Sequence, residues 1–189
     1  MKTEDNFVTT MKDAVPLRFF DRPTVTVARE LIGCRLVVGR ETTVRRFVIT
    51  ETEAYDGPED LACHASKGRT KRTDVLFREP GTIYVYLCYG LHWLINFVTG
   101  PVGYPSAVLV RGIQTLDGRT KYNGPAKLTK ALGITGEFNG RVLSRETGLW
   151  VEPRGALAGE PRIAATPRIG VDYAGPIWSK VHYRFVLQT

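Results

Sequence analysis

The segment "CRLVVGRETTVRRFVITETEAY", residues 34–55, carries the strongest fold signal in the chain. Two runs rich in β-branched residues flank a polar turn near Gly39 to Thr42, a pattern that predicts two antiparallel strands. Under period-2 alternation, four side chains of the second strand share one face: Phe47, Ile49, Glu51 and Glu53. We therefore expect the two carboxylates to continue a partly buried apolar face.

Other segments predict helices and further strands around this pair. Residues 22–33 and 123–134 have apolar positions at helical spacing, with Pro near each start and Gly near each end. Residues 80–100 predict a β-hairpin with Tyr89 and Gly90 at or near its tip, and residues 106–114 a buried strand that ends in Arg111. The chain length predicts one domain over residues 17–189, after a flexible arm over residues 1–16.

The charge balance favours a polyanionic partner. The chain has 26 Lys and Arg against 19 Asp and Glu, a formal net charge of +7, and basic contacts to phosphates release condensed counterions. The three cysteines are widely spaced, which predicts no disulfide framework and no metal site. The N-terminus lacks the apolar core of a signal or transit peptide. No apolar run approaches the roughly 20 residues that span a membrane.

Glu53 and Arg111 are candidate catalytic residues because each ends an apolar strand. Burial raises the pKa of a carboxyl group, and a carboxylate of raised pKa is suited to taking a proton from water. Pairing of Glu53 with Arg111 would satisfy both charges. Such a pair is either a structural salt bridge or part of a catalytic site, and Glu51 is the alternative base.

The predicted hairpin has an aromatic face and an unusual tip. Tyr84 and Tyr86 alternate with the apolar residues of their strand. Tyr89 occupies a position where hairpins usually have Asn, Asp or Gly, so it either packs back onto the hairpin or inserts into a base stack. Tyr55, Tyr86 and His64 form either a stacking slot for a flat ligand or ordinary core contacts.

Basic residues in two regions either follow a phosphate backbone or form a solvated surface. They are Lys67, Arg69, Lys71, Arg72, Arg119, Lys121, Lys127 and Lys130. Together with the aromatic tip they favour nucleic acid as the partner of an enzyme or of a non-enzymatic nucleic-acid-binding module. A carbohydrate hydrolase that uses Glu51 and Glu53 is excluded, because the two carboxylates lie on one wall and not across a scissile bond.

Four segments, in this order, resemble the alkyladenine (3-methyladenine) DNA glycosylase family: "ETEAYDGPEDLACHA", "PGTIYVYLCYGLHWLINFVT", "AVLVRGI" and "GPAKLTKALGI". The early "FFDRPTVTVARELIGCRLV" and the late "PRIGVDYAG" and "YRFVL" match as well. The resemblance implies a single α+β domain with a curved, largely antiparallel sheet, flanking helices and a protruding hairpin that enters the minor groove of DNA. It implies a monofunctional enzyme that uses no metal or other cofactor, and we expect a monomer.

The resemblance implies a catalytic role for three residues. Glu53 matches the general base, Arg111 the arginine that helps to hold the nucleophilic water, and Ile169 the residue whose backbone carbonyl does the same. An alkylated adenine is already cationic and leaves readily, so the enzyme must mainly expose the bond and aim an activated water at the sugar. The implied substrate is duplex DNA with 3-methyladenine, and 7-methylguanine, hypoxanthine and ethenoadenine are further candidates.

The resemblance also implies a pocket for a base that is flipped out of the duplex. Tyr55 matches the residue on one face of this base, Tyr86 and His64 match the pair on the other face, and Asn96 matches the residue that crowds out the amino group of guanine. Tyr89 matches the wedge that replaces the flipped nucleotide. From the charge pattern, contacts to the DNA backbone are expected at Lys67, Arg69, Lys71, Arg72 and Lys127.

Three residues depart from the usual family pattern. Thr73 stands where Asn is usual, and Leu91 and Trp93 replace Met and a smaller aromatic residue after the hairpin tip. These positions concern damage recognition more than chemistry, so the resemblance leaves the range of lesions open. The expected compartment is the cytoplasm or nucleoid of a prokaryote, or the nucleus of a eukaryote.

Overall fold

One antiparallel sheet is the framework of the fold, because apolar and polar residues alternate along its strands. A computed structural model describes residues 14–40, 43–155 and 160–188. Within these ranges the sheet has nine strands. They are β1 (Arg35–Arg40), β2 (Thr43–Asp56), β3 (Ile83–Cys88), β4 (His92–Val98), β5 (Ser106–Thr115), β6 (Lys121–Asn123), β7 (Leu149–Glu152), β8 (Ile163–Thr166) and β9 (Arg184–Leu187).

The strand order makes β2 and β5 the centre of the sheet. The main path runs β3-β4-β5-β2-β1-β7, and β6 pairs with β5. The long strand β2 pairs with β1 along its first half and with β9 along its second half, and β8 pairs with β9. The predicted α+β class with one largely antiparallel sheet is therefore confirmed.

Three α-helices accompany the sheet in the part of the chain that is described: α1 (Thr24–Leu31), α2 (Pro125–Leu132) and α3 (Gly175–Trp178). The first two are the helices predicted from apolar spacing. α2 begins at Pro125 and ends at Gly133, whose φ of +72° is the left-handed conformation that favours glycine at this position. None of the described helices is long and apolar enough to cross a bilayer.

Both faces of the sheet are covered by apolar contacts. On one face, the helices α1 and α2 pack Leu31, Leu128 and Leu132 against the strands in the main core. On the opposite face, Tyr84 and Val98 belong to a second cluster, formed with residues of the 63–76 segment. The candidate site lies on this second face, so the two helices support it from behind.

The ladder between β2 and β5 is irregular around Glu51, and the prediction of one continuous face is wrong there. The pairing shifts between Ile49 and Glu51 and again between Glu51 and Thr52. Ile49 belongs to the main core, but so does Ala54, an odd number of residues further along. Gly112 opposite Glu51 permits this close approach, because a Cβ atom on Gly112 would lie 3.0 Å from the Cβ of Glu51.

The two carboxylates therefore leave the face of Ile49 and point to the second face of the sheet. The residues of β2 that face the main core beyond the irregularity are Thr52 and Ala54, which are buried. The Thr52 hydroxyl donates a hydrogen bond to the Ala28 carbonyl of α1 at 2.8 Å. Glu51, Glu53 and Tyr55 alternate with them.

The N-terminal arm and one turn were predicted partly over residues that are not described. Residues 1–13 of the predicted arm, and residues 41 and 42 of the turn between β1 and β2, lie outside the described ranges. Within the last part of the arm, the Val15 amide donates a hydrogen bond to the Val151 carbonyl of β7 at 2.8 Å. The chain is thus attached to the sheet before residue 17.

Candidate active site

One row across the sheet brings together residues from three distant segments. Glu53 of β2 is opposite Leu109 of β5, and Leu109 is opposite Asn96 of β4. Asn96 is in turn opposite Tyr84 of β3. Directly opposite residues point to the same face, so the acid, the amide and the aromatic strand share the second face of the sheet. Glu53 and Asn96 are two strand spacings apart, about 10 Å.

Glu53 is held by three neighbours and has no exposed surface. Its Oε1 accepts a hydrogen bond from the backbone amide of Ile169 at 2.8 Å, and its Oε2 accepts one from the Tyr55 hydroxyl at 2.8 Å. Nη1 of Arg111 is 3.5 Å from Oε2, a long contact. Ile169 thus contacts the acid through its N–H group, while its side chain is half exposed.

The environment of Glu53 makes it more basic than an ordinary carboxylate. Burial raises the pKa of Glu53, and this effect outweighs the opposing effects of the Arg111 charge, the Ile169 amide and the Tyr55 hydroxyl. Burial and the adjacent Glu53 charge also raise the pKa of Tyr55, so the phenol remains a donor. A buried carboxylate with a raised pKa beside a guanidinium can accept a proton from water.

Glu51 lies beside Glu53 but has different partners. Its Oε1 accepts a hydrogen bond from Nε of Arg111 at 2.9 Å and one from Nε of Arg184 at 2.6 Å. Arg111 therefore makes its shorter contact with Glu51 and its longer contacts with Glu53. The two glutamates and two arginines form one charge cluster of zero net charge, spread over β2, β5 and β9.

The buried ion pair between Asp60 and Arg168 contacts the Tyr55 ring and adjoins the backbone of Ile169. The side chains of Asp60 and Arg168 have no exposed surface, and Nη2 of Arg168 donates to Oδ1 of Asp60 at 2.8 Å. The guanidinium lies 4.9 Å from the centre of the Tyr55 ring and also donates to the Ala54 carbonyl. Arg168 therefore fixes the ring beside Glu53 and the chain that leads to Ile169.

An aromatic cluster lies further along the same face. The His64 and Tyr86 rings meet edge to face with centroids 4.6 Å apart, and Nδ1 of His64 is 3.1 Å from the Tyr84 hydroxyl. Burial of the imidazole, and the nearby charge of Arg72, lower the pKa of His64, so the ring is neutral near pH 7. Tyr55 and Tyr86 both pack against the second cluster, so the predicted pocket residues are neighbours.

Asn96 is buried on the floor of this region. Its Nδ2 donates a hydrogen bond to the Tyr84 carbonyl at 3.1 Å, which fixes the orientation of the amide. In the row across the sheet, Asn96 on β4 lies between Leu109, which is opposite Glu53, and Tyr84 on the aromatic strand β3. It can therefore restrict which substituents a flat ligand carries into the site.

Tyr89 projects from the hairpin tip with 93% of its surface exposed. Its φ is +49° and that of Gly90 is +69°, and the Leu91 amide closes the turn on the Cys88 carbonyl at 3.0 Å. Within the described ranges, Tyr89 is the single non-glycine residue with positive φ. A bulky aromatic residue in this conformation is strained, and its ring does not pack back onto the hairpin.

The predicted backbone contacts are all exposed: Lys67, Arg69, Lys71, Arg72 and Lys127. Arg72 also has a place in the aromatic cluster, since its guanidinium lies 4.9 Å from the centre of the Tyr86 ring. Arg69 pairs with Asp74 at 2.7 Å. Lys127 is on α2. Lys67 is the last residue of the 3-10 helix His64–Lys67, and the other three residues follow this helix.

The three departures from the family pattern have separate surroundings. Thr73 is buried, and its Oγ1 accepts a hydrogen bond from the Thr70 amide at 2.8 Å, which closes the basic segment. Trp93 packs against the main core, and its carbonyl accepts a hydrogen bond from the hydroxyl of Thr129 at 2.7 Å. Leu91 is exposed beside Tyr89. Of the three, Leu91 is the one placed to meet a partner.

Three residues that support the site were not identified from the sequence. They are Asp60, Arg168 and Arg184, and each comes from a different segment of those that carry the family resemblance. Two signals in the sequence could have pointed to the arginines: Arg168 directly follows Pro167, and Arg184 interrupts the apolar run "YRFVL". Within the described residues, no group of three His, Cys, Asp or Glu side chains is placed to hold a metal ion.

Comparisons with known proteins identify the family of this chain. A family model described as Methylpurine-DNA glycosylase matches residues 18–189. A "Putative 3-methyladenine DNA glycosylase" of Myxococcus xanthus (strain DK1622) is 46% identical over 173 residues, which is 90% of this chain and 88% of the relative. Proteins of the same name from Methanocella arvoryzae and Rickettsia africae are 45% and 43% identical, over 85% and 83% of this chain and 86% and 82% of their own lengths. The chain therefore belongs to the methylpurine-DNA glycosylase family and is a DNA glycosylase, a hydrolase of N-glycosyl bonds.

Proposed function

We propose that this enzyme releases 3-methyladenine from duplex DNA, with Glu53 as the general base. The observation that carries the proposal is the surroundings of Glu53, which is fully buried, held by the Ile169 amide and the Tyr55 hydroxyl, and faced by Arg111. Strongly perturbed carboxylates of this kind are typical of functional sites. The names of the relatives support the same substrate.

In the proposed reaction, a water molecule is held by Glu53, Arg111 and the backbone carbonyl of Ile169. Its oxygen attacks the anomeric carbon of the sugar while one proton moves to Glu53. The electron pair of the breaking N-glycosidic bond goes to the base and neutralises the positive charge that methylation placed there. The hydroxyl remains on the sugar, so the product is an abasic site in an intact strand.

The flipped base lies, in this proposal, between Tyr55 on one face and the Tyr86 and His64 rings on the other. A neutral imidazole does not repel a cationic base, which fits the lowered pKa of His64. Hypoxanthine and ethenoadenine are neutral in DNA and would leave as anions unless they are first protonated, so we expect slower release. The 7-methylguanine base is cationic but carries the amino group that Asn96 opposes.

DNA is proposed to bind across the second face of the sheet as the substrate of a single enzyme molecule. Tyr89 enters the stack in place of the flipped nucleotide. The exposed basic residues contact phosphates, which position the duplex without reading its sequence. They are Lys67, Arg69, Lys71, Arg72 and Lys127. The enzyme would act in the compartment that contains the genome.

A panel of duplexes, each with one modified purine, tests the proposed function. We expect abasic sites to form in the 3-methyladenine duplex at the highest rate and an unmodified duplex to remain intact. Alkaline cleavage and chromatography of the released base measure the two products. Binding without release of any base, across the whole panel and a pH series, would contradict the proposal and favour a non-enzymatic nucleic-acid-binding module.

The pH dependence of base release is expected to follow Glu53. A protonated carboxyl group cannot accept a proton, so the rate should fall as the pH decreases through the pKa of Glu53. Because burial raises this pKa, the acid limb should lie above the value of about 4.3 typical of an exposed glutamate. Single-turnover release of 3-methyladenine over a pH series measures the limb. A flat profile through this range would contradict Glu53 as the base.

Replacing Tyr89 with alanine is expected to slow base release from duplex DNA by about 10-fold or more, because the wedge offsets an unstacking cost of a few kcal/mol. The loss should be smaller on single-stranded DNA, where flipping costs least. Folding should be unaffected, since the side chain is exposed. Leu116→Ala, at an exposed position after β5, is the matched control. Equal losses on the two substrates, or equal losses in both variants, would contradict the wedge.

A further inference from the structure

Glu51 is the point where two arginines of the site converge. A single oxygen, Oε1, accepts hydrogen bonds from Nε of Arg111 on β5 and from Nε of Arg184 on β9. Glu51 shares a face with Glu53 by alternation, and the irregularity in β2 turns both carboxylates to the second face of the sheet. Its side chain keeps 12% of its surface exposed, whereas that of Glu53 keeps none.

We propose that Glu51 is a positioning residue for base release: it anchors Arg111 and Arg184 so that Arg111 points at the water and Glu53 remains free to accept a proton. The inference rests on the proposed function, because it assigns a role relative to Glu53 as the base. It concerns a carboxylate that touches neither the base nor the sugar, and that acts through its two arginines.

The hydrogen bond to Glu51 sets the orientation of Arg111. The guanidinium is a rigid planar fork, so a bond at Nε determines where its terminal nitrogens point. Nε is 2.9 Å from Glu51 and 3.3 Å from Glu53, and Nη1 reaches Glu53 only at 3.5 Å. Glu51 therefore holds the arginine, and the longer contact leaves Glu53 available for a second partner. Catalytic hydrogen bonds are often long before the substrate binds.

Without Glu51, the Arg184 side chain would be free to form an ion pair with Glu53. Its backbone is directly opposite Glu53 in the ladder between β2 and β9, yet its side chain turns to Glu51, and its Nη1 donates to the Thr166 hydroxyl at 3.2 Å. If Glu51 lost its charge, Glu53 would be the one carboxylate left in this cluster to pair with the guanidinium groups of Arg111 and Arg184. An ion pair with Arg184 would occupy the lone pairs that the reaction needs.

A polar cavity lies beside Glu51 and Arg184. The cavity has a volume of about 320 Å³, and Glu51 and Arg184 form part of its wall with Gln114, Lys121 and Asn123. Glu51 thus keeps contact with solvent beside two arginines, whereas Glu53 is enclosed.

The test is the Glu51→Gln variant, assayed by single-turnover release of 3-methyladenine with enzyme in excess. We expect a 10- to 100-fold slower release near neutral pH, with lesion binding changed less than threefold. The acid limb of the pH profile should move to lower pH, because Glu53 loses a negative neighbour. The other charged and titratable groups near Glu53 are not altered by the substitution: Arg111, Arg184, Tyr55, Arg168 and Tyr173.

Two further variants separate positioning from a structural role. Glu51→Gln combined with Arg184→Gln restores the balance of charge and should return the acid limb toward its original position. Glu152, on the far strand β7, is buried and forms an ion pair with Arg46; Glu152→Gln breaks this pair and should leave the limb unmoved. A uniform rate loss with an unmoved limb in Glu51→Gln would overturn the inference, as would an unchanged rate. No release by the unaltered enzyme would instead refute the proposed function.

Discussion

Glu53→Gln should abolish base release while binding of lesion-containing DNA persists. General base catalysis typically contributes 10²- to 10⁴-fold, so we expect release to slow by about 10³-fold or more. Glutamine has nearly the same shape and can still accept a hydrogen bond from the Ile169 amide or the Tyr55 hydroxyl, but it cannot take a proton from water. Single-turnover release of 3-methyladenine and gel-shift titration of an uncleaved lesion duplex measure the two properties.

The same substitution at an exposed glutamate is the control for Glu53→Gln. Glu79 lies on the surface before β3, and Glu79→Gln should release base at the rate of the unaltered enzyme. Thermal unfolding of both variants shows whether the charge change alone affects the fold. Release within about tenfold of the original rate by a folded Glu53→Gln enzyme would exclude this residue as the base.

Asp60→Asn is expected to lower the free energy of unfolding by about 3 to 5 kcal/mol, the usual cost of removing one partner of a buried ion pair. The Asp60 carboxylate accepts hydrogen bonds from Arg168 and from the backbone amides of Asp56 and Ala62. The substitution leaves the Arg168 charge buried without its partner. Denaturant unfolding, with the midpoint and the slope fitted separately, measures the change.

An exposed ion pair provides the comparison for Asp60→Asn. Asp74 contacts Arg69 and Arg78 at the surface, so Asp74→Asn should barely change the unfolding midpoint, since exposed pairs contribute little. Base release should also suffer in Asp60→Asn at temperatures where the protein is folded, because Arg168 supports both Tyr55 and the chain leading to Ile169. Equal midpoints for the two Asp→Asn variants would show that the buried pair is not a stabilising element.

Local patterns were sufficient for helices α1 and α2 and for the β3–β4 hairpin. Helix α2 followed from Pro125, the apolar spacing and Gly133, because capping and amphipathicity are properties of neighbouring residues. The β3–β4 hairpin followed from two apolar runs around Tyr89 and Gly90. The family resemblance supplied the remaining step from strands to an α+β glycosylase, since several ordered motifs extend over most of the chain.

The face of the sheet to which the two carboxylates of β2 point could not be predicted in the same way. Strict alternation placed Glu51 and Glu53 on the face of Ile49, but the ladder around Gly112 turns them to the opposite face. The cause is a glycine on another strand, about 60 positions away, whose missing side chain allows the close approach. A periodic pattern within one strand contains no information about its partner.

The sequence alone determined the class of fold, the helices α1 and α2, the hairpin tip and, through its ordered motifs, the family of the enzyme. Tertiary structure decided which face carries the acids and which cations surround them. The Asp60–Arg168 and Glu51–Arg184 pairs join residues 108 and 133 positions apart, and such contacts arise only when separate strands and loops pack together. Burial and charge balance, the two quantities that set the basicity of Glu53, therefore emerge from the folded chain and not from any local segment.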